Sequence, residues 1–475
     1  MESTTTTGSP AVTLQRAISP FQFVLLGFGS IVGTGWVVLL GGWLKQAGPG
    51  GAFVGIAAGG MAMSLVAAFY AELGSRLPQT GGDVTYINAV FGKKLAFLAG
   101  WILTLSYVST LVFEGVAVAW LLELIWPALA NPVVYSVLGQ PISLSGLLVS
   151  LASGLTIATM NYRGARSFVR FQNLLTGAFL AIVLVIIGVE LCSGSSTNMH
   201  PIWENGTKGN WLLGVAWVFS SAPYIFGNFQ TILQAIEERS QSTSKEAVVR
   251  LVLVAVGGAV LFYLLVLLGA IRGASWVALS ASDLPAIAAL AHLPWSKALT
   301  MALLIALIAS VLKTWSAVFM VAVRLLLAQA REGMIPAFFG SINPKNGSPD
   351  KAVIVVAVIN LVGLFFGKGV IEPIVNTTAL CTAICYALCC AATLALRKRN
   401  PDHIGFRVPG GTPVAVLAVI FAAAMAVLAL VRPVASMQAN EFKWILLGCW
   451  AAFGLGLYCF RNRAGTAQAK AVGLE

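Results

Sequence analysis

Residues 27–36 read Gly27-Phe28-Gly29-Ser30-Ile31-Val32-Gly33-Thr34-Gly35-Trp36, four glycines and two hydroxyl side chains within the first apolar run. Each glycine costs a helix about 1 kcal/mol against alanine, so the run predicts a helix interrupted at 30–34. Close packing through small residues would explain the spacing of Gly29 and Gly33, but not Gly35, Ser30 and Thr34. Where the helix resumes, the amides of Gly33, Thr34 and Gly35 form an N-terminus whose partial positive charge suits a carboxylate. Glycine there lets a ligand approach the backbone closely. A second irregular run is Phe219-Ser220-Ser221-Ala222-Pro223-Tyr224-Ile225-Phe226-Gly227-Asn228-Phe229-Gln230. Proline removes a helix hydrogen bond, and the break is expected at 223–229; a lone proline kink would leave Gly227 and Asn228 unexplained. Carbonyls freed around Ile31, Tyr224, Ile225 and Gly227 offer a place for an ammonium group. A zwitterionic amino acid would satisfy both ends with no charged side chain. Phe226 and Trp36 are placed to shape the side-chain pocket. The candidate substrate site is therefore Ser30, Ile31, Val32, Gly33, Thr34, Gly35 and Trp36, with Pro223, Tyr224, Ile225, Phe226 and Gly227.

Two ionisable residues, Glu114 and Lys313, fall near the centres of apolar runs. A charge at that depth costs at least about 2.5–3.5 kcal/mol on insertion scales and marks ion or substrate routes. They are the candidate ion-coupling residues, with Lys313 able to exchange a proton during a cycle. The alternative is a Lys313–Glu114 ion pair that only ties helices together. Glu114 as a receptor for a cationic amine is a further possibility, one that would favour an amine or polyamine substrate.

The elements that position these residues are membrane helices. The chain is 58% hydrophobic and 10% charged, against roughly 25% charged in soluble domains. About twelve runs reach the ~20 residues needed to cross a bilayer, at 20–46, 52–77, 95–126, 143–162, 168–192, 210–234, 247–271, 297–330, 352–367, 371–396, 411–432 and 442–461. Gly367, Lys368 and Gly369 leave a very short turn between the ninth and tenth. Twenty-one of the 29 lysines and arginines fall on the side of the N-terminus and seven on the other, Lys313 lying within a span. This bias places both termini in the cytoplasm of a cell (inner or plasma) membrane protein. The net charge of +12 is thus topogenic, and its scatter over loops excludes nucleic acid as a partner. No cleavable signal peptide is visible, and residues 1–19 are polar and expected to be disordered. Cys381, Cys385 and Cys389, joined by Cys390, share a helix face without histidine or carboxylate company; they are read as buried thiols, with no metal and no cofactor. The three histidines, His200, His292 and His403, fall in loops, so no nucleophile or metal constellation supports an enzyme. A channel would not need interrupted helices in both halves.

The chain resembles the amino acid–polyamine–organocation (APC) transporter superfamily over roughly residues 17–400. Gly29-Ser30-Ile31-Val32-Gly33-Thr34-Gly35 is similar to that family's first-helix motif. Ala71-Glu72-Leu73-Gly74-Ser75-Arg76-Leu77-Pro78, with Gly81-Gly82, Tyr86, Phe91-Gly92 and Gly100-Trp101, resembles its second-to-third-helix signature. Asn161-Tyr162-Arg163-Gly164 with Gln172, the pair Glu237-Glu238, and Arg324 with Ala330-Arg331-Glu332-Gly333-Met334-Ile335-Pro336 resemble the start of helix 5 and the ends of helices 6 and 8. The resemblance implies an all-α membrane protein of 12 transmembrane helices with the leucine-transporter-like 5+5 inverted repeat and helices 1 and 6 interrupted. Its implied parts are a cytoplasmic segment at 1–19, repeats at 20–192 and 210–397, two extra helices at 411–461 and a tail at 462–475. The implied function is secondary active transport of amino acids by alternating access, with amine or polyamine carriage, or exchange, as the alternative. Trp36 departs from the smaller aliphatic residue common in the family. By the same resemblance, Lys313 falls where sodium-coupled relatives present small hydroxyl residues, and Phe179 stands where some sodium-independent relatives place a lysine. Transport is accordingly expected to be sodium-independent and proton-coupled, with a small-molecule substrate and the bilayer as partners and a monomeric or homodimeric state.

Overall fold

The computed structural model describes residues 18–461 apart from 79–80, 164, 204–209, 237–238, 241–243, 283, 346, 403–404 and 432–436. The tail at 462–475, most of the N-terminal segment, Gly164 and the Glu237-Glu238 pair lie outside the described residues.

The first span is two helices. α1 (Pro20–Ile31) starts with a capping box, in which Ser19 Oγ accepts from the Gln22 amide at 3.4 Å and the Ser19 amide donates to Gln22 Oε1 at 2.9 Å. Pro20 takes the first helical position, where no amide is needed. The helix stops at Ile31, because Val32 turns extended, and α2 (Gly35–Arg76) resumes after Thr34. The break is therefore 32–34, narrower than the expected 30–34, with Ser30 and Ile31 still helical. α2 bends at Gly48, whose φ of 63° is followed by Pro49. Glycine adopts that left-handed geometry without a Cβ penalty, and the bend separates the part of α2 that continues the first span from the part that follows.

A short α3 (Asp83–Phe91) leads into α4 (Lys93–Ile125). Between α4 and α5 (Leu144–Tyr162) stands a strand element, between the expected spans 95–126 and 143–162. It is a hairpin of β1 (Val133–Val137) and β2 (Gln140–Ser143), closed by Leu138 and Gly139 at φ 48° and 77°. α6 (Ala165–Ser193) follows.

The second irregular span is α7 (Trp211–Ser220), α8 (Ala222–Ile225) and α9 (Gln230–Gln234). Its opening falls at 226–229, with Asn228 at φ 64°. Pro223 does not open it; it sits in the first turn of α8, which tolerates proline. The chain continues through α10 (Lys245–Gly273), the short α11 (Trp276–Ala281) and α12 (Pro285–Ala288), and then α13 (Ser296–Arg331). α14 (Asp350–Gly363) and α15 (Ile371–Arg399) are joined by a 3-10 turn in which Gly367 has φ 60°. α16 (Gly411–Val431) and α17 (Met437–Phe460) close the fold.

Among the described residues, 11 helical stretches are long and apolar enough to cross a membrane, Asp350–Arg399 counting as one although it contains α14 and α15. The molecule is an all-α membrane protein apart from the hairpin. Within the most apolar windows, 83% of α13 and 72% of α4 are buried, against 17% at Asn440–Phe460. α4 and α13 are therefore the inner helices, and they carry Glu114 and Lys313. Leu148, Leu184, Leu261, Ile354 and Ile420 point outward, as hydrocarbon requires.

The ends of distant helices are tied by a buried ion cluster. Glu72 of α2 holds Arg397 of α15 through Nε at 2.9 Å and Nη2 at 2.5 Å, Arg76 at 3.0 Å and the Val408 amide at 2.9 Å. A charge bias alone reads Arg397 as a loop cation. Here it is buried, because it meets a carboxylate.

Candidate functional site

The two breaks face one another. α1 packs against α6, α10, α13 and α9. The Ser30 hydroxyl donates to Gly27 O at 2.9 Å and to Asn228 O at 3.1 Å, across the gap between the broken spans. Thr231 also bonds Asn228 O, through its amide at 3.0 Å and its hydroxyl at 2.6 Å. The breaks are thus stitched by main-chain carbonyls that a continuous helix would have kept for itself.

Lys313 Nζ donates to Gly29 O at 2.8 Å and to Val32 O, and lies 3.4 Å from Thr314 Oγ1. Thr314 Oγ1 itself reaches Gly29 O at 3.3 Å. The ammonium stands 4.9 Å from the centroid of the Phe179 ring, a geometry that favours a cation. Glu114 is buried, and its Oε2 has no hydrogen-bond partner. Lys313 is spent on the helix break, and the two residues form no ion pair with each other among the described residues.

A cavity of about 20 Å³ lies between the breaks. The broken spans line it with Ser30, Ile31, Gly33, Gly35, Tyr224, Ile225 and Asn228; α4 adds Thr110 and Glu114, α10 adds Tyr263 and α13 adds Thr314. Six of the twelve expected substrate residues reach it: Ser30, Ile31, Gly33, Gly35, Tyr224 and Ile225. The other six do not. Val32 offers only its carbonyl, to Lys313. Thr34 is buried with its hydroxyl unpartnered. Trp36 packs edge-on against Phe262 at 6.4 Å, and Phe226 against Tyr263 at 5.3 Å. Pro223 and Gly227 are structural at the α8 turn. Thr110, Asn228, Tyr263 and Thr314 are the lining residues missed as site members. Thr110 lies one helical turn before Glu114, a spacing that could have found it; nothing in the sequence singles out Tyr263.

The amides also divide. Gly33 N–H is not free, since it bonds Ile31 O at 3.1 Å, and Tyr263 Oη meets the same carbonyl at 3.4 Å. At the start of α2, however, the Thr34 side chain makes no capping bond and the first turn carries no acidic residue. Val37 N–H is taken by Thr34 O at 3.0 Å, so the opening amides of α2 that keep the donor capacity of an uncapped helix N-terminus are those of Gly35 and Trp36. The glycines separate in the same way. A Cβ on Gly29 would stand 2.5 Å from Thr176 Oγ1 and 2.7 Å from Gln172 Nε2, so this glycine serves close packing of α1 on α6. A Cβ on Gly33 would meet Glu114 Oε1 and Thr314 Oγ1 at 3.5 Å, ordinary contact inside the cavity.

A volume near 20 Å³ holds one water. A larger cavity of about 310 Å³ adjoins it, lined by Leu39, Gly42, Gln46, Phe113, Ile371, Glu372, Val375 and Asn376. Gly35 and Tyr224 line both. The Tyr224 ring lies against Gly35 where the two cavities share their lining.

A polytopic helical protein with two interrupted spans meeting at a buried polar cavity is, in architecture, a membrane permease. The amino acid permease family model matches residues 18–454, and the chain belongs to that family, within the APC superfamily; it is a transport protein and not an enzyme. It is 27% identical over 409 residues to the "Methylthioribose transporter" of Bacillus subtilis (strain 168), covering 84% of this chain and 86% of that one. It is 24% identical to the "Branched-chain amino acid permease BcaP" of the same organism over 86% of this chain and 87% of the relative. A third relative, the "Glutamate/serine transporter AimA", is 25% identical over 86% and 76%.

Proposed function

We propose that this protein is a secondary active transporter that carries an amino acid by alternating access, independently of sodium and coupled to protons. The observation that carries the reading is the pairing of an uncapped helix start at Gly35 with unbonded carbonyls of the second break, on opposite walls of one buried cavity. Among the described residues no donor within the protein reaches the Tyr224 or Ile225 carbonyl. The substrate carboxylate is assigned to the opening amides of α2 and the ammonium group to those carbonyls. Relatives named for branched-chain and for glutamate/serine transport support the substrate class.

Sodium independence rests on Lys313. Na⁺ needs several oxygen ligands, and the ammonium already holds Gly29 O and Val32 O. At ~4 Å, with an effective dielectric near 20, two unit charges repel by about 4 kcal/mol. In the proposed architecture α14 and α15 cross separately, giving twelve spans, two inverted halves of five followed by the two extra helices α16 and α17, with both termini cytoplasmic.

The second reading is an amine or polyamine carrier, and Glu114 favours it, since its Oε2 lies at the cavity without a partner. The decisive experiment is uptake into proteoliposomes of labelled amino acids, putrescine and methylthioribose, with and without counter-substrate inside. Amino acid uptake that survives replacement of sodium by choline and rises with an inward proton gradient is expected. Better transport of putrescine or methylthioribose than of any amino acid would overturn the assignment, and uptake only with internal amino acid would make the protein an exchanger.

A further inference from the structure

Asp83 is fully buried at the first position of α3, in the connection between the spans Leu39–Arg76 and Lys93–Ile125. Gly81 and Gly82, at φ 123° and 45°, turn the chain to put it there. The Tyr70 hydroxyl of α2 donates to Asp83 Oδ1, and the Cys389 thiol of α15 lies 3.6 Å from the same oxygen. Asp83 Oδ2 has no partner. The groups facing it are Tyr70 from α2, Tyr86 from its own helix, Tyr107 from α4, Gln234 from α9, and Cys385, Tyr386 and Cys389 from α15. None of them is a cation, among the described residues. Glu72, equally buried, shows the contrast: it is ringed by two arginines. A buried carboxylate with no cation is held far more cheaply as the acid.

An aromatic plug covers the site. Tyr70 meets Phe229 at 5.2 Å, Tyr386 at 5.5 Å and Tyr86 at 6.3 Å, and Phe229 stacks on Tyr386 at 5.3 Å. Phe229 is the last residue of the second helix break. A rearrangement of that break that displaced Phe229 would remove its ring from Tyr70 and Tyr386.

We propose that Asp83 is a proton-binding site, holding a proton while the Tyr70–Phe229–Tyr386 plug is closed and releasing it when the plug opens. On opening, the carboxyl O–H bond breaks, the electron pair stays on the carboxylate and the proton passes to water; closing reverses the step. The closed arrangement binds one more proton than the open one, so their ratio changes by up to tenfold per pH unit. This proton is separate from any carried by Lys313. Burial pushes the Asp83 carboxyl above the ordinary aspartate range, opposed by Tyr70, its own backbone amide, Cys389 and Gln234. The folded protein therefore binds more protons than the unfolded chain as pH rises from that ordinary range through the raised value. Stability falls across that window and is level above it.

The test is the melting temperature of the purified full-length protein from pH 4 to 9, wild type against Asp83→Asn, which mimics the protonated acid. The difference between the two curves should carry the fall with rising pH, reaching a tenfold change in the folding equilibrium per unit. Tyr70→Phe removes a donor to the carboxylate, so it should move the midpoint of the fall to higher pH. In proteoliposomes Asp83→Asn should lose the matching component of the pH dependence of uptake and keep its substrate affinity. Superimposable melting profiles for wild type and Asp83→Asn would overturn the proposal. If Asp83→Asn does not fold, an unmoved midpoint in Tyr70→Phe overturns it equally.

Discussion

Replacing Lys313 by methionine keeps the length of the side chain and removes its charge and donors. Two bonds from the ammonium are lost, to Gly29 O and Val32 O. Each is of the charged kind, worth about 1.5–3 kcal/mol, but the cost of keeping an ammonium away from water disappears with it and offsets much of that. What remains is the state of the two carbonyls. Gly29 O keeps the Thr314 hydroxyl at 3.3 Å. Val32 O has no other donor among the described residues, and an orphaned buried carbonyl costs about 1–3 kcal/mol. Taking about 2 kcal/mol against the observed arrangement, its population relative to competing ones falls by roughly 30-fold. Initial uptake into proteoliposomes under an imposed pH gradient should therefore drop at least about tenfold, and the residual rate should no longer respond to the gradient. Lys313→Met transporting at the wild-type rate with an unchanged gradient response would refute both the propping of the break and its part in proton coupling.

Lys313→Arg cannot readily deprotonate, so it should bind substrate in equilibrium assays and yet lose gradient-driven uptake. Because Lys313 and Glu114 are not paired, the double variant Lys313→Met/Glu114→Gln should be as impaired as Lys313→Met; recovery of uptake would restore the ion-pair reading. Gly35→Val places a branched side chain where even a Cβ would stand 2.7 Å from the Tyr224 ring, and Gly33→Val fills the cavity itself; both should express normally and abolish uptake, and wild-type uptake by either would remove the cavity from the transport route. Arg397→Met takes two hydrogen bonds and one of two arginines from the buried Glu72 and should destabilise the protein by about 1.5–3 kcal/mol, read as a lowered unfolding temperature in detergent; an unchanged temperature would show that Arg76 and the Val408 amide suffice.

Glycine and proline made the breaks legible, because these residues act on the backbone of their own segment. Gly29 to Gly35 and Pro223 to Asn228 located both openings to within a few residues, although Pro223 itself sits in a helical turn. The hydropathy pattern likewise marks the spans, since hydrocarbon leaves few other choices. Legibility failed where a residue's role depends on a distant partner. Arg397 reads as a loop cation until Glu72 is brought to it, and Asp83 is unremarkable in a polar connection until Tyr70 and Cys389 close over it. The same holds for Tyr263, whose hydroxyl touches Ile31 O only because α10 packs on α1. Trp36 and Phe226 depend on partners in the same way: beside a break they read as pocket walls, and in this arrangement they pack against Phe262 and Tyr263.

If the proposed cargo passes between the water-sized cavity and the one of about 310 Å³, the Tyr224 ring, lying on Gly35 where the two share their lining, has a pharmacological consequence. A molecule that is swallowed whole must fit beneath the ring once it swings back. A longer molecule, with its polar head on the opening amides of α2 and an apolar tail left among Leu39, Phe113 and Val375, would hold the ring aside like a foot in a door. Length alone then separates cargo from blocker: a homologous series with one head group and a growing tail should pass from transported to inhibitory at the chain length that no longer clears Tyr224.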